Sequence, residues 1–111
     1  MRTLFLALTI MASGLAHAIE GLPELPPGTP YSKARTSLMK FGWRPGPLPE
    51  DRHRMCPPDD QRCHDYPEAS ACSGTSRALC TFTWRRNGQV IEVDTYGKED
   101  LSIDRVRVLK N

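Results

Sequence analysis

The residues best suited to chemistry are cysteines, and all of them lie in the middle of the chain. They are Cys56, Cys63, Cys72 and Cys80, with the spacing C-x6-C-x8-C-x7-C. Thiols could bind a metal, exchange electrons or form disulfides. A zinc site usually contains a C-x2-4-C pair and a thioredoxin-like site a C-x-x-C motif, but neither motif occurs here. The spacing therefore favours disulfides, and neither a metal ion nor a cofactor is expected.

The pairing of these cysteines is a separate question, because four cysteines allow three pairings and sequence alone does not choose among them. We favour Cys56–Cys63 and Cys72–Cys80, since each pair closes a short local loop. Each such bond would stabilise the fold by about 2–3 kcal/mol in the chain-entropy model.

Two histidines near the cysteines are the remaining candidates for catalysis. His53 and His64 lie in a charged, proline-bearing segment, and no serine has the G-x-S-x-G context of an activated nucleophile. The paired carboxylates at 59–60 and 99–100 are typical of turns. No catalytic residue is therefore predicted, and we expect a protein that is not an enzyme. The alternative is an enzyme or accessory subunit that acts on an envelope substrate with a site completed by a partner.

Binding to another protein or to an envelope component is the function that the sequence favours. Trp84 is followed by two arginines at a predicted hairpin tip, and Trp and Arg are enriched at interface hot spots. We favour, however, the interpretation that Trp84 belongs to the core and that the arginines keep a sheet edge soluble, because Trp84 shares the parity of Cys80 and Phe82. Three more arginines lie in the loop that the first two cysteines hold. The candidate partner-binding residues are Arg52, Arg54, Arg62, Arg85 and Arg86.

The N-terminal segment 1–18 has the parts of a secretory signal peptide. Arg2 is followed by a short apolar run, and Ala16-His17-Ala18 matches the A-x-A cleavage pattern. We expect cleavage after Ala18 and export to the periplasm, with secretion as the alternative. Disulfides persist in such oxidising compartments.

The balance of charge argues against nucleic acid as a partner. Without Arg2, fourteen basic and thirteen acidic residues remain, which gives a net charge of +1. A protein with so small a net charge is not expected to attract a polyanion such as nucleic acid. No segment after residue 18 is apolar over the roughly 20 residues that a membrane-spanning helix needs.

The mature chain is expected to form one domain over 29–111, preceded by a flexible Pro-rich leader at 19–28. A helix is predicted from about Pro30 to Phe41, with Thr29 as its N-cap and Gly42 as its C-cap. Its apolar residues recur at helical spacing on one face, which we expect to belong to the core. The prolines that follow, at 45, 47 and 49, predict an irregular extended segment.

The C-terminal half of the chain predicts a three-stranded antiparallel meander. The strands are expected at 78–85, 89–96 and 101–109, and Asn87-Gly88 between the first two is a strong hairpin signal. A change of apolar parity after Ile103 predicts a bulge near Asp104–Arg105. The expected fold is α+β, with one N-terminal helix packed on the sheet and two disulfides. One helical turn is expected before Cys72.

Two segments resemble small exported bacterial proteins of unassigned function. These are TPYSKARTSLMKFGWRP, with a tyrosine at the helix start and a Gly-Trp end, and PEASACSGTSRALCTFTW, with two cysteines before an aromatic strand. The order of a helix followed by a meander is also similar to the α+β modules of the BamE (SmpA/OmlA) and β-lactamase-inhibitor-protein group. That resemblance implies binding rather than catalysis. The chain departs from this group because it has no cysteine at the expected cleavage site and no second helix predicted ahead of the sheet.

Overall fold

A ten-residue helix and a five-stranded antiparallel sheet make up this α+β protein. The computed structural model describes residues 19–46 and 53–111, so the predicted signal peptide and Arg52 lie outside the described residues. The elements are α1 (Tyr31–Lys40), β1 (Arg44–Pro45), α2 (Gln61–Asp65), β2 (Ala69–Cys72), β3 (Cys80–Arg86), β4 (Gln89–Tyr96) and β5 (Ser102–Lys110). None of the described helices has the length and apolar character needed to cross a membrane.

Helix α1 covers one face of the sheet with the apolar stripe that the sequence predicts. Tyr31, Ala34 and Leu38 are buried, and Tyr31 stacks on Phe82 of β3 with ring centroids 4.0 Å apart. The predicted N-cap is wrong, because the hydroxyl of Thr29 donates to the carbonyl of Pro26 instead of capping the helix.

The three long strands follow the predicted meander closely. Strand β3 pairs with β4 across Asn87-Gly88, and both turn residues have positive φ, as a type I′ hairpin requires. Strand β4 pairs with β5, and the register shifts where Asp94 faces Arg105 while Thr95 faces Ile103. Asp104 is the extra residue, which confirms the predicted bulge.

The prediction of only three strands is wrong. Strands β1 and β2 pair with the edge of β3 that faces away from β4, at different levels of that strand. Strand β1 begins the proline-rich segment that was expected to be irregular, and Pro45 is tolerated there because an edge strand leaves one side of its backbone unpaired. The predicted helical turn just before Cys72 is also wrong, because β2 occupies that position and α2 lies earlier, at Gln61–Asp65.

Residues 19–28, for which the composition predicts a flexible leader, contact the domain at both ends. Ile19 is 7% exposed and belongs to the core. The indole of Trp43 donates to the carbonyl of Gly21 over 2.8 Å, and the backbone N–H of Gly28 donates to the carbonyl of Ile103 over 2.8 Å. The segment therefore adds apolar cover to the helix side of the sheet.

Replacement of Leu38 by Ala tests this packing. Leu38 is 0% exposed in the core, so we expect Leu38→Ala to lower the free energy of unfolding by about 2–5 kcal/mol, because it leaves a cavity. Urea denaturation with the disulfides intact measures the change. Met39→Ala is the control, since its neighbouring side chain is 37% exposed. An equal loss in both variants would contradict the assignment of the buried face.

Candidate functional site

Arg62 was predicted as a partner-binding residue, but the structure buries it. The residue is 4% exposed. Its Nε and Nη2 donate to the two carboxylate oxygens of Asp60 over 2.9 and 2.6 Å. Its remaining N–H groups donate to the carbonyls of Ser73, Ala78 and Gly97. A guanidinium has five N–H donors, and all of them are used within the fold.

Asp60 and Arg62 also determine where α2 begins. The carboxylate of Asp60 accepts a hydrogen bond from the backbone N–H of Arg62 over 3.0 Å, as an N-cap residue does. A cleft of about 330 Å³ lies beside this pair, with Lys98 among its lining residues. Because the Arg62 donors are already used, the guanidinium at the cleft is not available to bind an anion.

Two further arginines from the predicted set also bind backbone carbonyls. Arg54 donates from Nε to the carbonyl of Ala69 and from Nη2 to that of Cys63, each over 2.8 Å. Arg86 donates from Nε to the carbonyl of Phe41 over 2.9 Å, just beyond the end of α1. These arginines satisfy carbonyls that regular secondary structure leaves unpaired. Their partner-binding role stays a prediction, beside the structural role that the contacts assign.

The other two predicted arginines lie elsewhere. Arg85 is partly buried on β3, and its side chain lies against Gly46, where an added Cβ would approach it to 2.9 Å. Arg52 lies outside the described residues. The five predicted arginines therefore do not form one surface in the described part of the chain.

A buried carboxylate just before β2, for which the sequence gave no signal, binds two residues of α1. Glu68 is 1% exposed and accepts hydrogen bonds from the hydroxyl of Tyr31 over 2.8 Å and from Nε of Arg35 over 2.7 Å. The indole of Trp84 donates to the Tyr31 oxygen over 3.1 Å. Burial and the Glu68 carboxylate raise the pKa of Tyr31 far above its ordinary range. Tyr31 therefore stays protonated and does not act as a base.

This cluster brings together residues from two distant parts of the chain. Tyr31 and Arg35 lie on α1, whereas Glu68 and Trp84 follow more than thirty residues later. The cluster packs the helix onto the sheet.

The face of the sheet away from α1 carries an ordered lattice of charged side chains. Asp94 accepts hydrogen bonds from Thr81, Arg105 and Arg107 over 2.8–3.0 Å, and Arg107 also pairs with Glu92 over 3.0 Å. The sheet core lies on the opposite face because side chains alternate along each strand. Burial alone would raise the pKa of Asp94, but hydrogen bonds from Arg107, Thr81 and Arg105 hold it below its usual value.

One exposed leucine lies beside this lattice, and we name the whole set the outer face. Leu79, just before β3, is 44% exposed and lines the same depression as Thr81, Asp94, Arg105 and Arg107. The outer face consists of Leu79, Thr81, Glu92, Asp94, Arg105 and Arg107. The sequence did not predict its arginine lattice, although the alternation of Glu92 and Asp94 with Ile91 and Val93 indicated a polar second face.

Both predicted disulfides are present, Cys56–Cys63 and Cys72–Cys80. No free cysteine remains, since none of the four lies outside the described residues. The second bond joins residues that face each other across β2 and β3, with Cα atoms 4.1 Å apart. Two disulfides in so small a domain are typical of proteins that fold in an oxidising compartment outside the cytoplasm.

The two histidines that the sequence offered for catalysis lie at the surface. His53 and His64 are exposed, and Nε2 of His64 lies 3.2 Å from the carbonyl oxygen of Pro58.

Comparison with known protein families, curated proteins and solved structures gives no match to this chain.

Replacement of Arg62 by Met tests its structural role. We expect Arg62→Met to lower the free energy of unfolding by about 3–5 kcal/mol, because it leaves a buried carboxylate and three carbonyls without their donor. Chemical denaturation measures the loss. The control is Arg77→Met, whose pair with Asp104 is exposed and contributes about 0–1 kcal/mol. A loss below that of the control would show that the burial of Arg62 does not support the fold.

The Asp60–Arg62 pair also predicts a dependence of stability on pH. Hydrogen bonds from Arg62 lower the pKa of Asp60 from its ordinary value of 3.8. A carboxyl with a lowered folded-state pKa stabilises the protein above its unfolded-state pKa and loses that contribution as pH falls through the folded-state pKa. The free energy of unfolding should therefore decrease below about pH 4, and less steeply in Asp60→Asn. Equal slopes in both proteins would contradict this contribution.

Proposed function

We propose that this chain is a non-enzymatic periplasmic binding protein that recognises another protein of the cell envelope through the outer face. The observation that carries the proposal is the arginine lattice on Asp94, which holds Arg105 and Arg107 in fixed positions on the side of the sheet that α1 leaves uncovered. Arginines that are already ordered lose less conformational freedom on binding.

The composition of the outer face supports a protein partner over a small ligand. Arginine is enriched at interfaces, and Leu79 adds exposed apolar area beside the lattice. The depression between Leu79, Asp94 and Arg105 has a volume of only about 230 Å³, below the roughly 300–1,000 Å³ of ligand pockets.

The charge of the outer face indicates the chemistry of the partner. Asp94 and Glu92 are 8% and 5% exposed, whereas the side chain of Arg105 is 66% exposed. The solvent therefore meets guanidinium groups above buried carboxylates. We infer an acidic patch with an apolar margin on the partner, such as the entrance of a hydrolase active site that the protein would occlude.

The proposed binding surface is the outer face instead of the disulfide-held loop. The expected class of function, binding without catalysis, stays the same. The similarity to inhibitor and envelope modules that the helix–meander order suggests is consistent with it. The disulfide-held loop contributes less, because Arg54 and Arg62 donate inward to backbone carbonyls. The loop fixes the shape of the domain, and the sheet offers the surface.

Affinity capture with matched charge variants tests the proposal. The purified mature domain is immobilised, incubated with periplasmic extract, and the retained protein is identified and titrated by calorimetry. We expect Arg105→Glu to weaken binding at least tenfold, which corresponds to about 1.4 kcal/mol. Lys33→Glu is the control, because Lys33 is exposed on α1 and carries the same charge change.

Two results would overturn this proposal. One is equal binding by the Arg105→Glu and Lys33→Glu variants. The other is turnover of a cell-wall or peptide substrate by the purified protein that is lost in His53→Ala or His64→Ala, which would favour the enzymatic alternative.

A further inference from the structure

The two disulfides lie against each other, although the sequence places them in separate loops. The sulfur atoms of Cys56, Cys63 and Cys72 all lie within 4.8 Å of one another. Cys63 is on α2 and Cys72 is on β2, and these elements are packed together. A thiolate formed at Cys63 would therefore lie next to the Cys72–Cys80 bond.

Exposure differs within each bond. Cys56 and Cys72 are partly exposed, whereas Cys63 and Cys80 are 8% and 1% exposed. An external thiolate attacks the sulfur that it can reach. At the first bond this sulfur is Cys56, and the group released is the buried Cys63 beside the second bond.

We propose that the two disulfides form one exchange unit that oxidises a dithiol. A thiolate of the dithiol attacks Cys56 Sγ, forms a mixed disulfide and releases Cys63 as a thiolate. Cys63 then attacks Cys72 Sγ, so that a Cys63–Cys72 bond forms and Cys80 leaves as a thiolate that takes up a proton. The second thiol of the dithiol resolves the mixed disulfide and releases Cys56.

The electrons balance over these steps. The dithiol loses two electrons and becomes a disulfide, while the protein passes from two disulfides to one disulfide and two thiols. The dithiol supplies the two protons that Cys56 and Cys80 gain. No other oxidant takes part.

The fold can accept the exchanged pairing. The Cys63 and Cys72 sulfurs have to approach from 4.8 Å or less, which rotation of cysteine side chains between staggered positions can supply. The released Cys80 lies in the apolar core, where a free cysteine behaves as a small hydrophobic residue. The new bond joins α2 to β2 and removes the covalent link between Cys56 and α2.

Partial reduction followed by tryptic mapping tests the exchange in the wild-type protein. Cleavage after Arg54, Arg62, Arg77 and Arg85 places Cys56 on peptide 55–62, Cys63 and Cys72 on 63–77, and Cys80 on 78–85. In the native pairing all three peptides are linked. In the exchanged pairing they separate, and peptide 63–77 carries an internal disulfide.

The native protein is treated with one equivalent of dithiothreitol, unfolded in denaturant that contains excess N-ethylmaleimide so that buried thiols are also trapped, and digested with trypsin near neutral pH. We expect the main one-disulfide species to contain the internal bond in 63–77, with Cys56 and Cys80 alkylated. One-disulfide species that retain only Cys56–Cys63 or only Cys72–Cys80 would overturn the proposal.

A variant pair tests the internal step without any reductant. In Cys56→Ser, the thiol of Cys63 is free to attack Cys72. When the folded protein is trapped by unfolding in N-ethylmaleimide, we expect alkylation of Cys80 at least about tenfold above that in the control, because the attack is intramolecular. The control is Cys56→Ser/Cys63→Ser, which keeps Cys72–Cys80 but has no attacking thiol. Alkylation of Cys63 alone in the folded single variant would contradict the exchange. Circular dichroism verifies folding, and the wild-type mapping stays decisive if the variant does not fold.

Discussion

The buried guanidinium of Arg62 is the interaction on which the irregular part of this protein depends. A charge taken out of water is tolerated only when it is paired and its donors are satisfied. Asp60 supplies the pairing, and the carbonyls of Ser73, Ala78 and Gly97 supply the remaining acceptors. One side chain thereby joins α2, the turn before β3 and the turn after β4. Backbone hydrogen bonds from Gly97 to Arg77 and from Ser73 to Leu79 link the turns to each other, and Arg62 joins both of them to α2.

Other polar side chains that hold the domain together also satisfy backbone groups or buried charges. Arg54 and Arg86 complete the hydrogen bonding of backbone carbonyls, and Glu68, just before β2, holds α1 through Tyr31 and Arg35. A small domain buries a limited apolar area, so side chains that satisfy the backbone supplement the core. The consequence for function is that Arg54, Arg62 and Arg86 use hydrogen-bond donors within the fold, and Arg62 is also buried. The charged groups ordered for recognition are those on the outer face, around Asp94.

The disulfides combine stability with reactivity. Each closes a short loop, and Cys72–Cys80 also links paired strands. Their mutual proximity arises because α2 packs on β2, which brings Cys63 to Cys72. A thiolate within reach of a second disulfide is the requirement for exchange. The same packing that makes the stretch rigid therefore creates the exchange unit, and binding through the outer face does not depend on it.

The sequence by itself determined the features that rest on local physics. Helical periodicity placed α1, Asn87-Gly88 placed the hairpin, and the parity change placed the bulge at Asp104. Short loop closure only favoured the disulfide pairing, which the tertiary structure decided. Tertiary structure decided whatever depends on contacts between distant segments. Strands β1 and β2 have four residues or fewer, too few for a periodic pattern, and they exist because β3 offers them an unpaired edge. Contacts between distant segments also explain the burial of Arg62 and Glu68, the carbonyl contacts of Arg54 and the proximity of the two disulfides. A charged residue in a loop gives no sequence signal of its burial, because only the assembled fold supplies the acceptors and donors that make burial stable.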